Sequence, residues 1–187
     1  MLRPLQQGRP WGEWPGPLDQ RQNRALRALE REHGEALLDE ALLQWQLQSQ
    51  WQRLQRHAHH RGVRLVGDLP FYVAHDSADV WRNRGLFSLS LDGRLLEQSG
   101  VPPDYFAATG QLWGTPVYRW WRHRLTGFRW WLDRLERQLE LFDLLRLDHF
   151  RALEAYWSVP GGAATAEHGT WCPSPGGALL SLLWWRC

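Results

Sequence analysis

The chain has 187 residues, a formal net charge of +2 and 43% hydrophobic residues. It is therefore long enough to bury a substantial core, and its charge is too small to indicate binding to nucleic acid or to an anionic membrane surface. All 22 basic residues are arginine, and neither lysine nor isoleucine occurs, a bias that is typical of GC-rich coding. The first residues lack the apolar core of a secretory signal, and no segment approaches the about 18 apolar residues of a membrane span. We therefore expect a cytoplasmic protein without a nucleic-acid or membrane partner.

The N-terminal third of the chain is predicted to be mostly helical. Residues 1–17 are rich in proline, glycine and tryptophan and are predicted to be irregular. From Leu18 to about His60, apolar residues recur at spacings of three and four, the period of an amphipathic helix. Gly34 interrupts the pattern, so we predict two helices that meet at this residue.

The end of the second helix carries three histidines, which could suggest a metal site. His57, His59 and His60 stand where cationic side chains interact favourably with the helix dipole. No carboxylate or thiol is near them in the sequence, so helix capping is favoured over metal binding. The two cysteines, Cys172 and Cys187, show no metal-ligand spacing and are expected to be reduced thiols. We expect neither a metal nor a cofactor.

The middle of the chain is predicted to contain a strand followed by short elements. Val63–Pro70 is β-branched and apolar and ends on Asp68 and a proline. Asp76 or Ser77 is expected to cap a helix that starts near Ala78. Residues 83–100 are predicted to form short strands or turns, with a tight turn at 91–94.

Residues 101–118 are predicted to form a loop, because proline and glycine interrupt them repeatedly. The loop carries Tyr105, Phe106, Trp113 and Tyr118 beside amide and carboxyl groups. Aromatic faces next to polar groups suit a pyranose ring, which offers C–H faces for stacking and hydroxyls for hydrogen bonds. A loop held in place by its own aromatic cluster explains these residues equally well.

A helix is predicted from about Tyr118 to Leu141, with a break at Gly127, and it leads into a second strand. The tryptophan pairs at 120–121 and 130–131 are expected to pack in the core or between helices. The second strand, Leu145–Asp148, also ends on an aspartate, 80 residues after Asp68. A strand–helix–strand crossover takes roughly 30 residues, which leaves about 50 for an excursion between the two strands.

The second strand end places two charged side chains on one face. Side chains alternate in an extended chain, so Arg146 and Asp148 point the same way. The guanidinium is expected to keep the carboxylate of Asp148 ionised. An ionised aspartate at the C-terminal end of a barrel strand is where a (β/α)8 enzyme carries its chemistry. An ordinary salt-bridged strand end is the alternative.

Three long motifs follow one another along the chain: Gly67–Trp81, the loop from Pro102–Phe106 to Gly110–Gly114, and Arg146–Arg151. In this order they resemble the 4-α-glucanotransferase family (amylomaltase, or disproportionating enzyme) of glycoside hydrolase family 77. Trp11–Pro15 and Glu154–Trp157 are similar to further family segments, so the resemblance runs from about Trp11 to Trp171. Val73 and Ala74 stand where α-amylase relatives carry an Asn-His pair, which favours the glucanotransferase branch.

The resemblance implies a role for individual residues. Asp148 would be the nucleophile that forms a covalent glucosyl-enzyme intermediate, with Arg146 holding and ionising it. Asp68 would organise the adjoining sugar subsite, and His149 would contact the sugar. The loop over the acceptor sugar would be formed or supported by Asp104, Tyr105, Phe106, Gln111 and Trp113. The implied partners are a maltooligosaccharide or α-glucan donor and acceptor, with no cofactor.

A retaining mechanism needs two carboxyl groups about 5–5.5 Å apart. Glu154 and Glu167 follow Asp148, and neither lies in one of the three long motifs, so the sequence indicates a nucleophile strand without its proton donor. A complete (β/α)8 barrel typically takes about 250 residues. We therefore expect an α/β fragment: a partial (β/α)8 (TIM) barrel spanning 1–187, with an inserted subdomain at the C-terminal face of the strands and a substrate-binding loop region at about 83–118.

Three functions stay open on the sequence: a glucanotransferase, a catalytically inert fragment and an α-glucan hydrolase. The tail after Trp171 departs from the expected family pattern, because a Pro/Gly-rich stretch gives way to an apolar, tryptophan-rich end. This departure suggests a truncated or frameshifted reading frame.

Overall fold

The computed structural model describes residues 2–186, so the prediction for Cys187 lies outside the described residues. Helices and strands alternate along the chain, as in a mixed α/β protein. The helices are α1 (Leu2–Leu5), α2 (Gly16–Asp19), α3 (Asn23–Glu32), α4 (Gly34–His59), α5 (Ala78–Arg82), α6 (Trp120–Leu125), α7 (Arg129–Leu141) and α8 (Gly176–Arg186). The strands are β1 (Val66–Leu69), β2 (Glu97–Val101), β3 (Gln111–Pro116), β4 (Leu144–Leu147), β5 (Ala155–Pro160) and β6 (Thr170–Pro173).

The contacts divide the chain into two compact units, of which the first comprises residues 1–67 and 139–144. Its helices α3 and α4 meet at Gly34, which confirms the predicted division. The prediction of an irregular start is wrong in part, because residues 2–5 and 16–19 form short helices and residues 11–13 a 3₁₀ turn. These turns close through local backbone hydrogen bonds, such as Trp14 N to Trp11 O, which composition alone does not reveal.

The last turn of α4 is held by an acidic partner that is distant in sequence. His59 Nε2 lies 2.8 Å from Asp143 Oδ1, and Asp143 Oδ2 accepts a hydrogen bond from Leu65 N at 2.8 Å. One of the three histidines thus has a carboxylate partner that is distant in sequence and that the sequence reasoning did not foresee. Hydrogen bonding from Leu65 N and then from His59 lowers the pKa of Asp143. Within residues 2–186, no group of three or more histidine, cysteine or acidic side chains is arranged to hold a metal ion.

The second unit comprises residues 68–138 and 145–187, and its core is aromatic. Phe71, Tyr118 and Trp131 are almost completely buried, and their ring centroids lie 5.2–5.6 Å apart. Tyr118 Oη donates a hydrogen bond to Phe71 O at 2.6 Å, so the phenol is satisfied inside the core. Trp131 and the nearly buried Trp120 confirm the expectation that these tryptophan pairs pack in the core, whereas Trp121 is exposed.

Several local predictions in the second unit are confirmed. Ser77 caps α5, since its hydroxyl accepts a hydrogen bond from Val80 N at 3.2 Å. Gly93 has φ +82°, and its N–H donates to Ser90 O, which closes the tight turn at 91–94. Gly127 has φ +58° and separates α6 from α7, as the predicted break requires.

Four strands of this unit form an antiparallel sheet in the order β3-β2-β5-β6. The prediction of a continuous loop over 101–118 is therefore wrong for 111–116, which is strand β3. Gly110 precedes it with φ +69°, and a Cβ there would lie 2.3 Å from Val101 O, so only glycine fits this connection. The loop proper consists of residues 102–110.

The two strands that end near aspartates form a separate two-stranded sheet, β1-β4. Leu65 O accepts hydrogen bonds from Asp143 N and Leu144 N, and Leu69 O accepts one from Asp148 N at 3.0 Å. The partners advance in the same direction along both strands, as in a parallel pair. Both strand predictions are confirmed, and this pairing brings the carboxyl ends of β1 and β4 side by side.

No helix in the described part of the chain is both long enough and apolar enough to cross a membrane.

Candidate active site

The carboxyl ends of β1 and β4 carry an ion pair between Asp68 and Arg146. Arg146 Nε donates to Asp68 Oδ1 at 3.0 Å, and Arg146 Nη2 donates to Asp68 Oδ2. The fork of the guanidinium thus matches both oxygens of the carboxylate. The hydrogen bonds from Arg146 lower the pKa of Asp68, and the same pairing raises the pKa of Arg146. Asp68 is therefore fixed in its ionised form in a site that is open to solvent.

The predicted partner of Arg146 was Asp148, and the structure corrects this prediction. The guanidinium hydrogen-bonds to Asp68, which lies 78 residues away in sequence. Within a strand, residues i and i+2 share a face but stand apart along the chain, whereas residues on neighbouring parallel strands lie about 4.8 Å apart. Asp148 still acts on Arg146 through its charge, which contributes to the raised pKa of the arginine.

Asp148 itself is exposed to solvent. Among residues 2–186, its carboxylate makes no hydrogen bond or ion pair, although its backbone N–H is bound to Leu69 O. The carboxylate therefore needs to break no protein contact before it reacts with a ligand. Its neighbour Arg146 is held by Asp68 and adds a positive charge beside it.

His149 follows Asp148 in a left-handed backbone conformation, with φ +54° and ψ +46°. Such a conformation is uncommon for residues other than glycine, although histidine is among the residue types enriched in it. The His149 ring packs edge-on against Trp113 at 4.8 Å and lies 6.0 Å from the ring of Tyr72. Burial of the imidazole lowers the pKa of His149. The residue after Asp148 is thus a neutral ring that links the end of β4 to strand β3.

Tyr72 is a site residue that the sequence reasoning missed. Its ring stacks on Tyr118 at 6.0 Å with an interplanar angle of 11° and contacts both Trp113 and His149. Burial raises the pKa of Tyr72. The available signal was its position four residues after Asp68, where the chain leaves β1 for the site. Tyr72 therefore connects the buried aromatic core to the side chains around Asp148.

The loop over 102–110 is shaped by Asp104. Its Oδ1 accepts hydrogen bonds from Phe106 N and Ala107 N, both at 2.8 Å. This Asx turn presents two adjacent aromatic side chains to solvent, because Tyr105 and Phe106 are 97% and 92% exposed. They contact each other at 5.5 Å with nearly perpendicular rings. A loop held by its own aromatic cluster would bury these rings, so this alternative does not describe Tyr105 and Phe106.

Gln111 and Trp113 lie on strand β3 and face the same side, as residues two apart on a strand do. Trp113 Nε1 donates to Gln111 Oε1 at 3.2 Å, and the indole retains 37% exposure while its ring contacts Tyr72 and His149. Trp113 therefore belongs partly to a packed cluster, unlike the two loop aromatics. Its amide neighbour and free surface leave it able to meet a ligand.

The parallel strand pair, the four-stranded antiparallel sheet and the helices around them define a mixed α/β protein. The family model of the 4-alpha-glucanotransferases, glycoside hydrolase family 77, matches residues 1–185. The chain therefore belongs to this family. The match extends beyond Trp171, so the expectation that the resemblance stops there is wrong. Residues 176–186 form helix α8. The sequence analysis did not predict this helix, because a short stretch rich in proline and glycine leads into it.

Named relatives and solved structures agree with this assignment. The chain is 46% identical to the 4-alpha-glucanotransferase of Aquifex aeolicus, over 95% of this chain and 37% of that protein. It is also 46% identical to the enzyme of Thermus thermophilus, over 92% of this chain and 35% of that protein. An amylomaltase from Streptococcus agalactiae, solved with acarbose, superposes with a TM-score of 0.95 at 33% identity, over 99% of this chain and 38% of that one. The chain thus spans slightly more than a third of the length of these relatives.

Proposed function

We propose that this chain carries the nucleophile half of an α-glucan transferring site, in which segments of α-1,4-glucan pass from a donor to the 4-hydroxyl of an acceptor sugar. The observation that carries the proposal is the exposed, unpartnered carboxylate of Asp148 beside the Asp68–Arg146 ion pair at the ends of parallel strands. Family membership and the acarbose-bound amylomaltase support α-glucans as the substrate class.

In the proposed first step, Asp148 attacks the anomeric carbon of the donor and forms a covalent glucosyl ester. The glycosidic bond between this carbon and the leaving glucan breaks at the same time. Arg146, held by Asp68, keeps a positive charge beside the nucleophile. Asp68 accepts hydrogen bonds from sugar hydroxyls with the lone pairs that Arg146 leaves free. An acceptor hydroxyl then attacks the anomeric carbon and loses its proton to the acid/base group, while the bond from this carbon to Asp148 breaks and the configuration is retained overall.

The leaving glucan needs a proton, and Asp68 is a poor source of it. The ion pair with Arg146 lowers the pKa of Asp68, so this carboxylate carries no proton at neutral pH. Glu154 ends the short helical turn after β4, and Glu167 accepts a hydrogen bond from Thr165. We propose that neither is the acid/base group and that a further carboxyl group completes the site.

The acceptor side of the site is assigned to the loop 102–110 and strand β3. Tyr105 and Phe106 would stack on sugar rings, and Gln111 with Trp113 would bind hydroxyls and the adjoining C–H faces. Asp104 would hold the loop in shape, and His149 would contact the sugar next to Asp148. A sugar held under this loop excludes water from the ester, which favours transfer over hydrolysis.

The domain organisation is part of the proposal. We assign β1 and β4 as two strands of a partial (β/α)8 barrel and residues 83–118 as part of an inserted subdomain at their C-terminal face. The four-stranded antiparallel sheet, which joins this region to β5 and β6, supports an insertion with its own hydrogen-bonded structure. A cytoplasmic location also remains a prediction, which cell fractionation tests.

The second candidate is a glucan-binding chain without turnover. Two observations favour it. The chain spans little more than a third of the length of its relatives. Asp68, whose partner Arg146 lies beside Asp148, is ionised and so has no proton to give to a leaving group. Such a chain would bind maltooligosaccharides at the same residues but would not cleave them.

Incubation of the whole chain with maltotriose distinguishes these functions from each other and from hydrolysis. A ladder of longer and shorter maltooligosaccharides is expected for transfer, and Asp148→Asn should remove the ladder while leaving maltotriose affinity within about threefold. Glucose and maltose alone would show hydrolysis. Unchanged maltotriose together with measurable binding would show the second candidate, and a ladder unaffected by Asp148→Asn would refute the nucleophile assignment.

A further inference from the structure

A cavity of about 910 Å³ lies in the second unit beside the end of β1. Asp68 and Pro70 line it from the strand end, α5 forms one wall, and the first turns of α7 form another. Its volume is at the upper end of the about 300–1,000 Å³ that is typical of ligand pockets. None of the functions assigned above uses this space apart from Asp68.

The walls of the cavity are fixed by hydrogen bonds. Arg134 on α7 donates to Phe71 O at 3.1 Å and also to Pro70 O, which ties the helix to the chain leaving β1. On the other wall, Ser77 caps α5, and the side chain of Asn83 donates to Asp79 O at 3.0 Å. The cavity is therefore largely formed before a ligand arrives, which lowers the entropic cost of binding.

The residues that line the cavity include both hydrogen-bond donors and acceptors. Arg129 and Asp133, one turn apart on α7, face the cavity as a loose pair with Nε and Oδ2 3.7 Å apart. Such an exposed pair contributes little by itself, so its groups can be exchanged for ligand contacts at small cost. Asp79 adds a second exposed carboxylate on the opposite wall, and Pro70 and Val73 add apolar surface.

This composition selects among ligand classes. The lining holds three aspartates and four arginines, so charges of both signs nearly balance and the cavity favours a neutral ligand over an ion of either sign. A neutral polyhydroxyl chain matches mixed donors and acceptors and can place its C–H faces on Pro70 and Val73. Asp68 belongs to the cavity lining and to the proposed sugar subsite at once. A glucan bound at Asp68 would therefore enter the cavity as it leaves the subsite.

We infer that this cavity is an extended subsite that binds further glucosyl units of the glucan held at Asp68 and Asp148, with Arg129 and Asp133 as hydroxyl ligands. The inference rests on the proposed function and adds to it a preference for long chains. Arg129 and Asp133, which lie outside the three motifs, would then help to select the length of the bound glucan.

Isothermal titration of the whole chain with maltotriose and maltohexaose tests the inference. Maltohexaose should bind at least about tenfold more tightly, which corresponds to about 1.4 kcal/mol, because its further glucosyl units gain hydrogen bonds to the charged groups of the cavity. Arg129→Gln should remove most of this advantage and leave maltotriose affinity within about twofold. Asp133→Asn provides a second variant with the same expectation, and thermal melting checks that both fold.

Arg94→Gln is the matched control. Arg94 also pairs through Nε with an aspartate, Asp92, at 3.0 Å, and its side chain is 86% exposed, compared with 82% for Arg129. It lies outside the cavity, so its substitution should leave both affinities unchanged. Equal loss of maltohexaose affinity in Arg94→Gln and Arg129→Gln would overturn the inference.

The remaining outcomes separate the inference from the proposed function. Maltotriose binding without any gain for maltohexaose would overturn the extended subsite and leave the proposed function standing. Inorganic phosphate that displaces maltohexaose and leaves maltotriose bound would reassign the cavity to anions, which also overturns the inference. Failure of both sugars to bind would reject the proposed function and the inference together.

Discussion

The second unit contains two aromatic regions that differ in nearly everything except residue type. Phe71, Tyr118 and Trp131 are at most 3% exposed, pack edge-to-face or tilted, and include a phenol bonded to a backbone carbonyl. Tyr105 and Phe106 are more than 90% exposed and contact only each other among the aromatic rings of the described residues. Aromatic content alone therefore cannot separate core from site. What separates them is whether the ring faces are occupied by protein.

The largest effect is expected from emptying the buried region. Trp131→Ala removes a fully buried indole that contacts Phe71, Tyr118 and Trp120, and should lower the free energy of unfolding by about 3–5 kcal/mol. Urea denaturation followed by circular dichroism measures this loss. A change below about 1 kcal/mol would show that this region is not the core of the unit.

The buried region should also make stability depend on pH. His123 is fully buried, its Nε2–H donates to Leu86 O at 3.2 Å, and burial lowers its pKa from 6.5 to about 4. His123 binds a proton more readily in the unfolded chain than in the folded chain. The stability that the neutral, buried imidazole provides is therefore complete above pH 6.5 and is lost as pH falls towards 4. The full loss corresponds to roughly 3 kcal/mol.

Denaturation midpoints between pH 7 and 4 test this prediction, with His123→Gln as the comparison because glutamine retains a donor for Leu86 O. The variant should show a shallower decline over this interval. Equal slopes in the two proteins would mean that other groups cause the acid sensitivity.

The exposed region should respond in the opposite way. Phe106→Ala should change the free energy of unfolding by less than about 0.5 kcal/mol, because the side chain is 92% exposed. It should weaken maltotriose binding about tenfold, since one stacking face is lost. Leu91→Ala, at a fully exposed apolar residue in the turn of 91–94, is the control and should alter neither quantity. Loss of stability without loss of affinity would return Phe106 to a structural role.

The smallest effect is expected from the residue that shapes the exposed loop. Asp104→Ala removes the acceptor for Phe106 N and Ala107 N, each at 2.8 Å, and should weaken maltotriose binding by about three- to fivefold through disorder of the loop. Asp104→Asn keeps an acceptor oxygen and should recover most of the affinity. An alanine variant that binds as tightly as the unmodified chain would show that the turn does not position the aromatic rings.

The sequence predicted the elements whose signals are local. The helix division at Gly34, the break at Gly127, the Ser77 cap and strands β1 and β4 follow from spacing, caps and apolar runs. Strand β3 was missed because Gly114 and Pro116 belong to residue types that are depleted in strands, and pairing with β2 determines its structure.

The candidate site was predictable only to the level of strand ends. The positions of Asp68 and Asp148 followed from the sequence, but the partner of Arg146 did not, because strand pairing joins residues 78 positions apart. The exposure of Tyr105 and Phe106 could not be predicted either, since it depends on whether other segments cover them. Tyr72 was missed because its contacts with Trp113 and His149 come from three separate segments of the chain.

The central claim is that Asp148 is the nucleophile, and a donor that needs no proton tests it most directly. α-Maltosyl fluoride loses fluoride without acid assistance, so the attack of Asp148 does not depend on the acid/base group. Mass spectrometry of the chain after reaction should find a maltosyl ester on the peptide containing Asp148, and none in Asp148→Asn. An ester on Asp68, or fluoride release at the same rate from both proteins without any ester, would contradict the account.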